Sequence, residues 1–575
     1  MAMTEAAAAR GGGIEFHHRG AFWSGTAAVT LGVVLMLPMY LGNSSRTCPG
    51  NSITPDGPVP RALKYCLVGL RPDGWMWFGM LLTLVGLVAT AYGLFPRLSQ
   101  VSRGYVSRIR VRALDDAPIR PAHVALLLVM AAAVTIDVMK PTTLAFVVPG
   151  MAKEYILRAG KALNAKATVP VAWLPLAGIT GTVLGSFLWG WFGDRIGRRA
   201  SILLAAVLFI ATAACGSMPY YTWNFITCFI MGLGVGGMLP ITFALMAETI
   251  PARHRGWLMV LIGGDVAGAY IITSWLASTI GASNHYGWRI LWLLSLPTGV
   301  ILIVLNRWIP ESPRFLLQHG RDEEAQAIME RYGAVVVQDD VSDLDVEKHV
   351  RSRWAELLSS RFAGLSLVVL LLGIGVGMVQ FGFTQWIPSN LQGLGLKEVD
   401  SFKVLRDSAL IGFPLNFPIA WLYGFWGAKR TIALMAAITA AALFGFVFAN
   451  PDSLVHVSAS GAVSKTTLLY ILLIVPIWGI SSLTAVAVAY ASEVYPTRIR
   501  SRGTGLAAGA TKFGGVLVLA VVVAKIATPS ISLTALYGAI PITAALVAIL
   551  ILGVETRKKQ LEQITAEELK QPTTV

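Results

Sequence analysis

Apolar runs of about twenty residues, separated by short basic or polar turns, recur from one end of the chain to the other. At about 1.5 Å of rise per residue, such a run covers the roughly 30 Å of bilayer hydrocarbon as a helix. Fourteen membrane-spanning helices are predicted this way, centred near residues 31, 85, 135, 183, 208, 235, 268, 297, 376, 416, 440, 480, 515 and 543. Between Pro310 and Arg361 the pattern changes. Asp322 to Tyr332 and Asp345 to Leu358 mix charge with spaced apolar positions, which predicts short amphipathic helices on the membrane surface. The chain therefore divides into five parts. Residues 1–115 hold two spans and an outer loop, 116–308 six spans, and 309–361 a cytoplasmic connector. Residues 362–555 hold six more spans, and 556–575 form a polar cytoplasmic tail.

The two six-span groups carry a repeat. Glu248-x-x-Pro251-x-Arg253-x-Arg255 returns 245 residues later as Glu493-x-x-Pro496-x-Arg498-x-Arg500, each where one apolar run ends and another begins. A duplicated membrane half is how solute carriers build a site that can face either side. Composition agrees with a membrane protein: 55% of residues are hydrophobic and 13% charged, and mean hydropathy is +0.65. The net charge of +15 would point to nucleic acid in a soluble chain. Here the basic residues cluster in short turns, among them Arg195, Arg198, Arg199, Arg253, Arg255, Lys429, Arg430, Arg498, Arg500 and Arg502. Alternating spans put all of these on one side, the positive-inside arrangement of an inner-membrane protein with both termini cytoplasmic. No cleavable signal peptide is read at the start, and Ala21 to Leu41 is taken as a retained span. Cys215 and Cys228 fall in apolar runs and read as buried thiols. Cys48 and Cys66 share the outer loop, where a disulfide and free thiols are both open.

One turn is more specific. Gly185-Ser-Phe-Leu-Trp-Gly190-Trp-Phe-Gly193-Asp194-Arg195-Ile-Gly197-Arg198-Arg199 resembles the signature G-x-x-x-D-R-x-G-R-R of the major facilitator superfamily. The resemblance implies an all-α fold of two pseudo-symmetric six-helix bundles, here with two additional N-terminal spans. It also implies that Asp194, with Arg195 and Arg198, latches the cytoplasmic side onto the span beginning near Ser501. The matching turn of the second half, Gly424-Phe-Trp-Gly427-Ala-Lys429-Arg430, has no aspartate. Gly232-Leu-Gly234-Val-Gly236-Gly237-Met-Leu-Pro240 with Glu248, Gly287-Trp288-Arg289, Pro310-Glu311-Ser312-Pro313-Arg314 and Glu555-Thr556 are similar to the sugar-porter and metabolite:proton symporter branches. Two departures narrow the substrate. The seventh core span reads Gln380-Phe-Gly-Phe-Thr384-Gln385-Trp386 rather than the Gln-Gln-x-Ser-Gly-x-Asn of hexose carriers. The fifth lacks the proline of the Gly-Pro-Gly-Gly pattern of drug antiporters.

Ionisable groups inside spans cost at least about 2.5–3.5 kcal/mol each on insertion scales, which marks them as functional candidates. Four are read: Asp137 and Lys140 in the first core span, Asp265 in the fifth and Lys512 in the eleventh. The resemblance places these spans around or beside a central cavity. A carboxylate there changes its proton affinity as its solvent and charged neighbours change, so Asp137 and Asp265 are the candidate proton carriers. Lys140 and Lys512 are candidate partners for a substrate carboxylate, with Gln380, Gln385 and Trp478 as further substrate contacts. Static pairs, Asp137 with Lys140 and Asp265 with Lys512, are the alternative. Glu248, Arg253, Glu493 and Arg498 at helix ends read as cytoplasmic gate residues alongside Asp194, Arg195 and Arg198.

The chain has no phosphate-binding loop, no metal-spaced His/Cys set and no supported catalytic triad, so neither an enzyme, a metal, a cofactor nor ATP is expected. The expected function is secondary active transport by alternating access, with proton-coupled symport of a small organic anion. Its expected partners are that anion, protons and lipid, with no nucleic acid. Export or facilitated passage of an amphipathic compound, and a non-transporting receptor or assembly protein, are the alternatives.

Overall fold

The computed structural model of the chain describes residues 14–41, 74–95, 114, 117–154, 172–219, 221–281, 287–334, 357–360, 362–449, 454–457, 463–495, 497–523 and 530–555. The two cysteines of the predicted outer loop, most of Asp345 to Leu358 and both termini lie outside them. Cys215 and Cys228 are buried and free.

Helices α1 (Arg19–Leu35), α2 (Leu37–Leu41) and α3 (Gly74–Leu94) form a hairpin whose two arms touch through glycine. A Cβ on Gly32 would stand 2.4 Å from the Thr83 hydroxyl, and one on Gly25 would stand 2.6 Å from the Gly86 carbonyl oxygen. Without side chains at these places the backbones approach closely, which replaces the hydrophobic drive that lipid cannot supply. The outer face of α3 carries exposed Trp75, Trp77, Leu81, Leu84, Val85 and Val88, as a lipid-facing surface does.

The next six spans are built from α4 (Pro121–Glu154), α5 (Trp173–Ile196), α6 (Arg198–Thr212), α7 (Tyr221–Val235) with α8 (Met238–Thr249), α9 (Ala252–Gly263) with α10 (Val266–Leu276), and α11 (Gly287–Leu293) with α12 (Ser295–Leu305). The connector holds α13 (Pro313–Gln318) and α14 (Asp322–Arg331), the first of the two predicted surface helices. Then come α15 (Ala363–Met378), a π-helical turn (Val379–Thr384), α16 (Gln385–Gly393), α17 (Glu398–Gly412) and α18 (Asn416–Phe425). The last are α19 (Ala428–Phe448), α20 (Thr467–Val494), α21 (Thr497–Val523) and α22 (Ile531–Leu552). A short antiparallel pair, β1 (Val455–Val457) and β2 (Val463–Lys465), lies between α19 and α20.

Eleven helices among the described residues are long and apolar enough to cross a membrane. They contain all but three of the predicted span centres; the others fall in the α1–α2 segment, in α5 and at the break between α7 and α8. Two of the three fall short of that measure because α1 stops after 17 residues and a glycine pair divides the span near residue 235 into pieces of 15 and 12 residues. The segment Arg198–Ser217 is the most enclosed of the eleven, 89% buried against 33% for Gly74–Leu94. The reason is the hairpin. It packs along α6, where Tyr40 donates to the Ala213 carbonyl and the Ser217 hydroxyl points at Met36 sulfur.

Helices of residues 121–308 and 363–552 meet at two levels. At one, Val148, Ala152 and Ile179 pack with Phe381, Trp386, Val518, Leu519 and Val522. At the other, α9 lies along α20 so tightly that a Cβ on Gly263 would stand 2.5 Å from that of Ala485.

Candidate functional site

Two helix breaks in the first group organise the centre. The first separates α7 from α8 at Gly236–Gly237. In a continuous helix the Gly236 carbonyl would accept from residue 240, but that residue is Pro240 and has no N–H. The freed carbonyl oxygen instead accepts from the Lys512 ammonium of α21 at 2.5 Å, and the Ser186 hydroxyl lies 2.8 Å from it. Lys512 also donates to Ser186. Glycine is required beside the break, since a Cβ on Gly237 would stand 1.9 Å from the Trp189 side chain. The second break separates α9 from α10 at Gly264–Asp265. There the Gly264 carbonyl accepts from Ser481 Oγ at 2.7 Å and Asn416 Nδ2 at 3.2 Å, and Ser482 donates to Asn416 Oδ1 at 2.8 Å. Both breaks thus hand a carbonyl from one bundle to donors on the other.

The charged residues lie close to this layer. Asp137 is 1% exposed and Lys140 4% exposed, so both sit inside the protein rather than against lipid. Among the described residues, one carboxylate oxygen of Asp137 is buried without a hydrogen-bond partner. The electrostatic neighbours of that carboxylate are Lys512 and Lys140. Lys140 turns into its own bundle, donating to Thr298 Oγ1 at 3.0 Å with its ammonium 5.4 Å from the Phe209 ring centre. Beside it is a cavity of about 10 Å³ bordered by Thr143, Thr273, Leu276, Leu291, Ser295 and Thr298, roughly enough for one water. Asp265 accepts from Thr135 on α4.

The alternative reading, Asp265 paired with Lys512, is therefore not what the structure shows. The two occupy related places in the two halves, but pseudo-symmetry relates positions without bringing them together. Lys512 rides on α21, which packs on α5, whereas α10 packs on α17. Asp137 is instead the shared neighbour of both lysines.

The aromatic and amide candidates divide. Gln380 is half-buried within the π-helical turn. Gln385 is buried with an unpaired side-chain amide nitrogen, and Trp478 has an unpaired indole N–H. The same condition extends along α16 to Trp386, Ser389, Asn390 and Gln392. That helix thus presents a run of buried donors without acceptors among the described residues, which water or an oxygen-bearing solute would satisfy. Ser389 and Gln392 were not singled out in the sequence, nor were Ser186, Thr135 and Thr298, and Gly236 entered only as part of a glycine motif. Pro240 four residues after Gly236 was the one available signal for the freed carbonyl.

At the helix ends a different network appears. Glu311 accepts from the backbone N–H groups of Arg198 at 2.7 Å, Arg199 at 3.3 Å and Ser312 at 2.9 Å. It caps α6, whose N-cap Gly197 has φ 90° and no side chain to offer. Burial raises the Glu311 carboxyl above its ordinary value, while those N–H groups and Arg198 hold it down. In the second group Glu555 accepts from Ala428 N at 2.8 Å, capping α19 behind Gly427 with φ 118°. Each capping carboxylate thus lies just past the last span of its own half. The side chains of Asp194 and Arg498 lie outside the described residues. Arg198 pairs with Glu248 at 3.7 Å, and Ser312 donates to the same carboxylate. Glu493 accepts from Tyr423 Oη at 2.8 Å and lies against Gly256, where a Cβ would meet it at 2.2 Å. Arg195 is half-buried and Arg253 exposed.

The family described as "Sugar (and other) transporter" matches residues 143–567. The chain belongs to that family. It is a multi-pass membrane transporter and not an enzyme. It is similar to the niacin transporter NiaP of Acinetobacter baylyi, 28% identical, over 79% of this chain and 99% of that one. It is also similar to the inner membrane metabolite transport protein YgcS of Escherichia coli, 30% identical, over 58% of this chain and 72% of the relative. The structure of the proton:xylose symporter XylE bound to 6-bromo-6-deoxy-D-glucose overlays with a TM-score of 0.61 at 19% identity, covering 77% of this transporter and 98% of XylE. That likeness gives the transporter its major facilitator fold.

Proposed function

We propose that the protein is a proton-coupled symporter of a small organic anion, a carboxylate, working by alternating access. The observation that carries this is a charge imbalance: buried Lys140 and half-buried Lys512 share one buried carboxylate, Asp137. Uncompensated buried charge is costly, and a substrate carboxylate entering beside Lys512 restores neutrality. Asp137 is the proton carrier, since its unpaired oxygen can take a proton without breaking a bond. Asp265, bound to Thr135, is the second carrier. Gln380, Gln385 and Trp478 contact the solute, with the unpaired donors of α16 lining its path. The name of the niacin transporter supports the substrate class, because niacin is a small aromatic carboxylate. Asp194, Arg195, Arg198, Glu248, Arg253, Glu493 and Arg498 form the cytoplasmic gate. Residues 1–115 add two spans to the two six-span bundles of 116–308 and 362–555, with both termini on the cytoplasmic side of an inner membrane.

Uptake by proteoliposomes of a labelled panel of small carboxylates, their amides and sugars tests this. Carboxylates should accumulate when the outside is acidified and their amides should not. Asp137→Asn should reduce gradient-driven uptake at least about 100-fold, on the scale of a lost buried charged partner, and spare counterflow exchange. Accumulation of sugars instead, or gradient-independent uptake by the unaltered protein, rejects the reading.

A further inference from the structure

We propose that Lys512 is a tethered cation occupying a monovalent-cation site, whose ligands are the Gly236 carbonyl and the Ser186 hydroxyl, with the Asp137 carboxylate as its nearby counter-charge. The inference holds whichever solute the carrier moves. Three observations lead to it. The Gly236 carbonyl is freed from its helix by Pro240 and points at the ammonium at 2.5 Å. Unwound carbonyls at a helix break are the usual ligands of Na⁺ in secondary transporters. Ser186 adds a neutral oxygen, itself fixed 2.8 Å from the Thr182 carbonyl. Asp137 supplies a nearby negative charge as an electrostatic neighbour of the ammonium, outside hydrogen-bonding contact. Carbonyl and hydroxyl oxygens on one positive charge, with a carboxylate nearby to balance it, are the oxygen chemistry of a hard-cation site. Here that charge arrives on a side chain of the opposite bundle.

The arrangement has a physical consequence. An ammonium delivered by α21 ties the two bundles together and compensates Asp137, as a free ion would. It cannot diffuse away, so the carrier needs no dissolved alkali ion. A solute carboxylate drawing Lys512 off Gly236 and Ser186 would empty the site and untie the bundles at one stroke. Removing the side chain should therefore expose a vacant site that accepts Na⁺, K⁺ or NH₄⁺.

The test is the thermal unfolding midpoint of the full-length protein in detergent, with chloride salts of Na⁺, K⁺, NH₄⁺ and choline at equal ionic strength. The unaltered protein should be indifferent to the cation. Lys512→Ala should unfold at lower temperature in choline and recover in at least one small cation, with a midpoint that climbs with its concentration as mass action requires. Adding Ser186→Ala to that variant should abolish the recovery. Lys512→Ser serves as the second variant, and both are purified in ammonium chloride. A Lys512→Ala protein as stable as the original in choline, or equal recovery in choline, overturns the proposal. So does failure of both variants to fold even in ammonium. Because stability is read and not uptake, a wrong substrate class leaves the result unaffected.

Discussion

Glu311 shows how much one side chain does at a helix start. The first N–H groups of any helix lack internal partners, and glycine at the N-cap of α6 supplies none. A carboxylate 113 residues further along fills the gap. Glu311→Ala should destabilise the protein by about 1–3 kcal/mol, the cost of leaving buried donors unmet, seen as a lower unfolding midpoint in detergent. Glu555→Ala should do the same for α19. The pH dependence follows from the raised proton affinity of Glu311. The folded form takes up this proton before the unfolded one, so the group's contribution to stability falls as pH rises from its ordinary value through the raised one. The stability advantage of the unaltered protein over Glu311→Ala should accordingly grow on acidification through that window. The turn motif and Glu311 were both visible in the sequence. Their contact was not, because it joins residues that only the closed bundle brings together. Likewise Asp137 and Lys512 could each be singled out as costly intramembrane charges, yet which partner each takes depends on the packing of α21 against α5.

At the level of whole helices, small residues set how closely neighbours lie. A Cβ on Gly232 of α7 would stand 2.0 Å from the Gly178 carbonyl oxygen of α5. Gly509 on α21 has open space around its Cβ position. Gly232→Ala should therefore push α5 and α7 apart and lower the unfolding midpoint. Gly509→Ala should leave it unchanged or raise it, since alanine is favoured over glycine within a helix by about 1 kcal/mol. Equal effects would mean that helix propensity, not contact distance, governs these spans. Element existence was largely legible because hydrocarbon thickness imposes a length on every spanning helix. The breaks at Gly236–Gly237 and Gly264–Asp265 were harder to foresee. Glycine pairs occur in unbroken membrane helices too, and only Pro240 pointed to one of them.

Across the whole molecule, the N-terminal hairpin is attached to one side and lies apart from the charged layer. It contacts the turn after α6 through Tyr40 and Met36, and α5 through the Phe95–Phe192 ring pair at 4.8 Å. Deleting residues 1–115 should lower the unfolding midpoint, since the Ala213 carbonyl loses its donor and α6 its cover. Exchange per folded molecule in proteoliposomes should persist. Loss of exchange in a deletion variant that remains folded would place the hairpin in the transport cycle itself. The two distal caps also bear on how the protein is made. A ribosome must translate through Glu311 before the start of α6 can be sealed, and through Glu555 before that of α19 can be. Each bundle is thus completed by a residue just past its last span, so the first can mature in the bilayer while the second is still being synthesised.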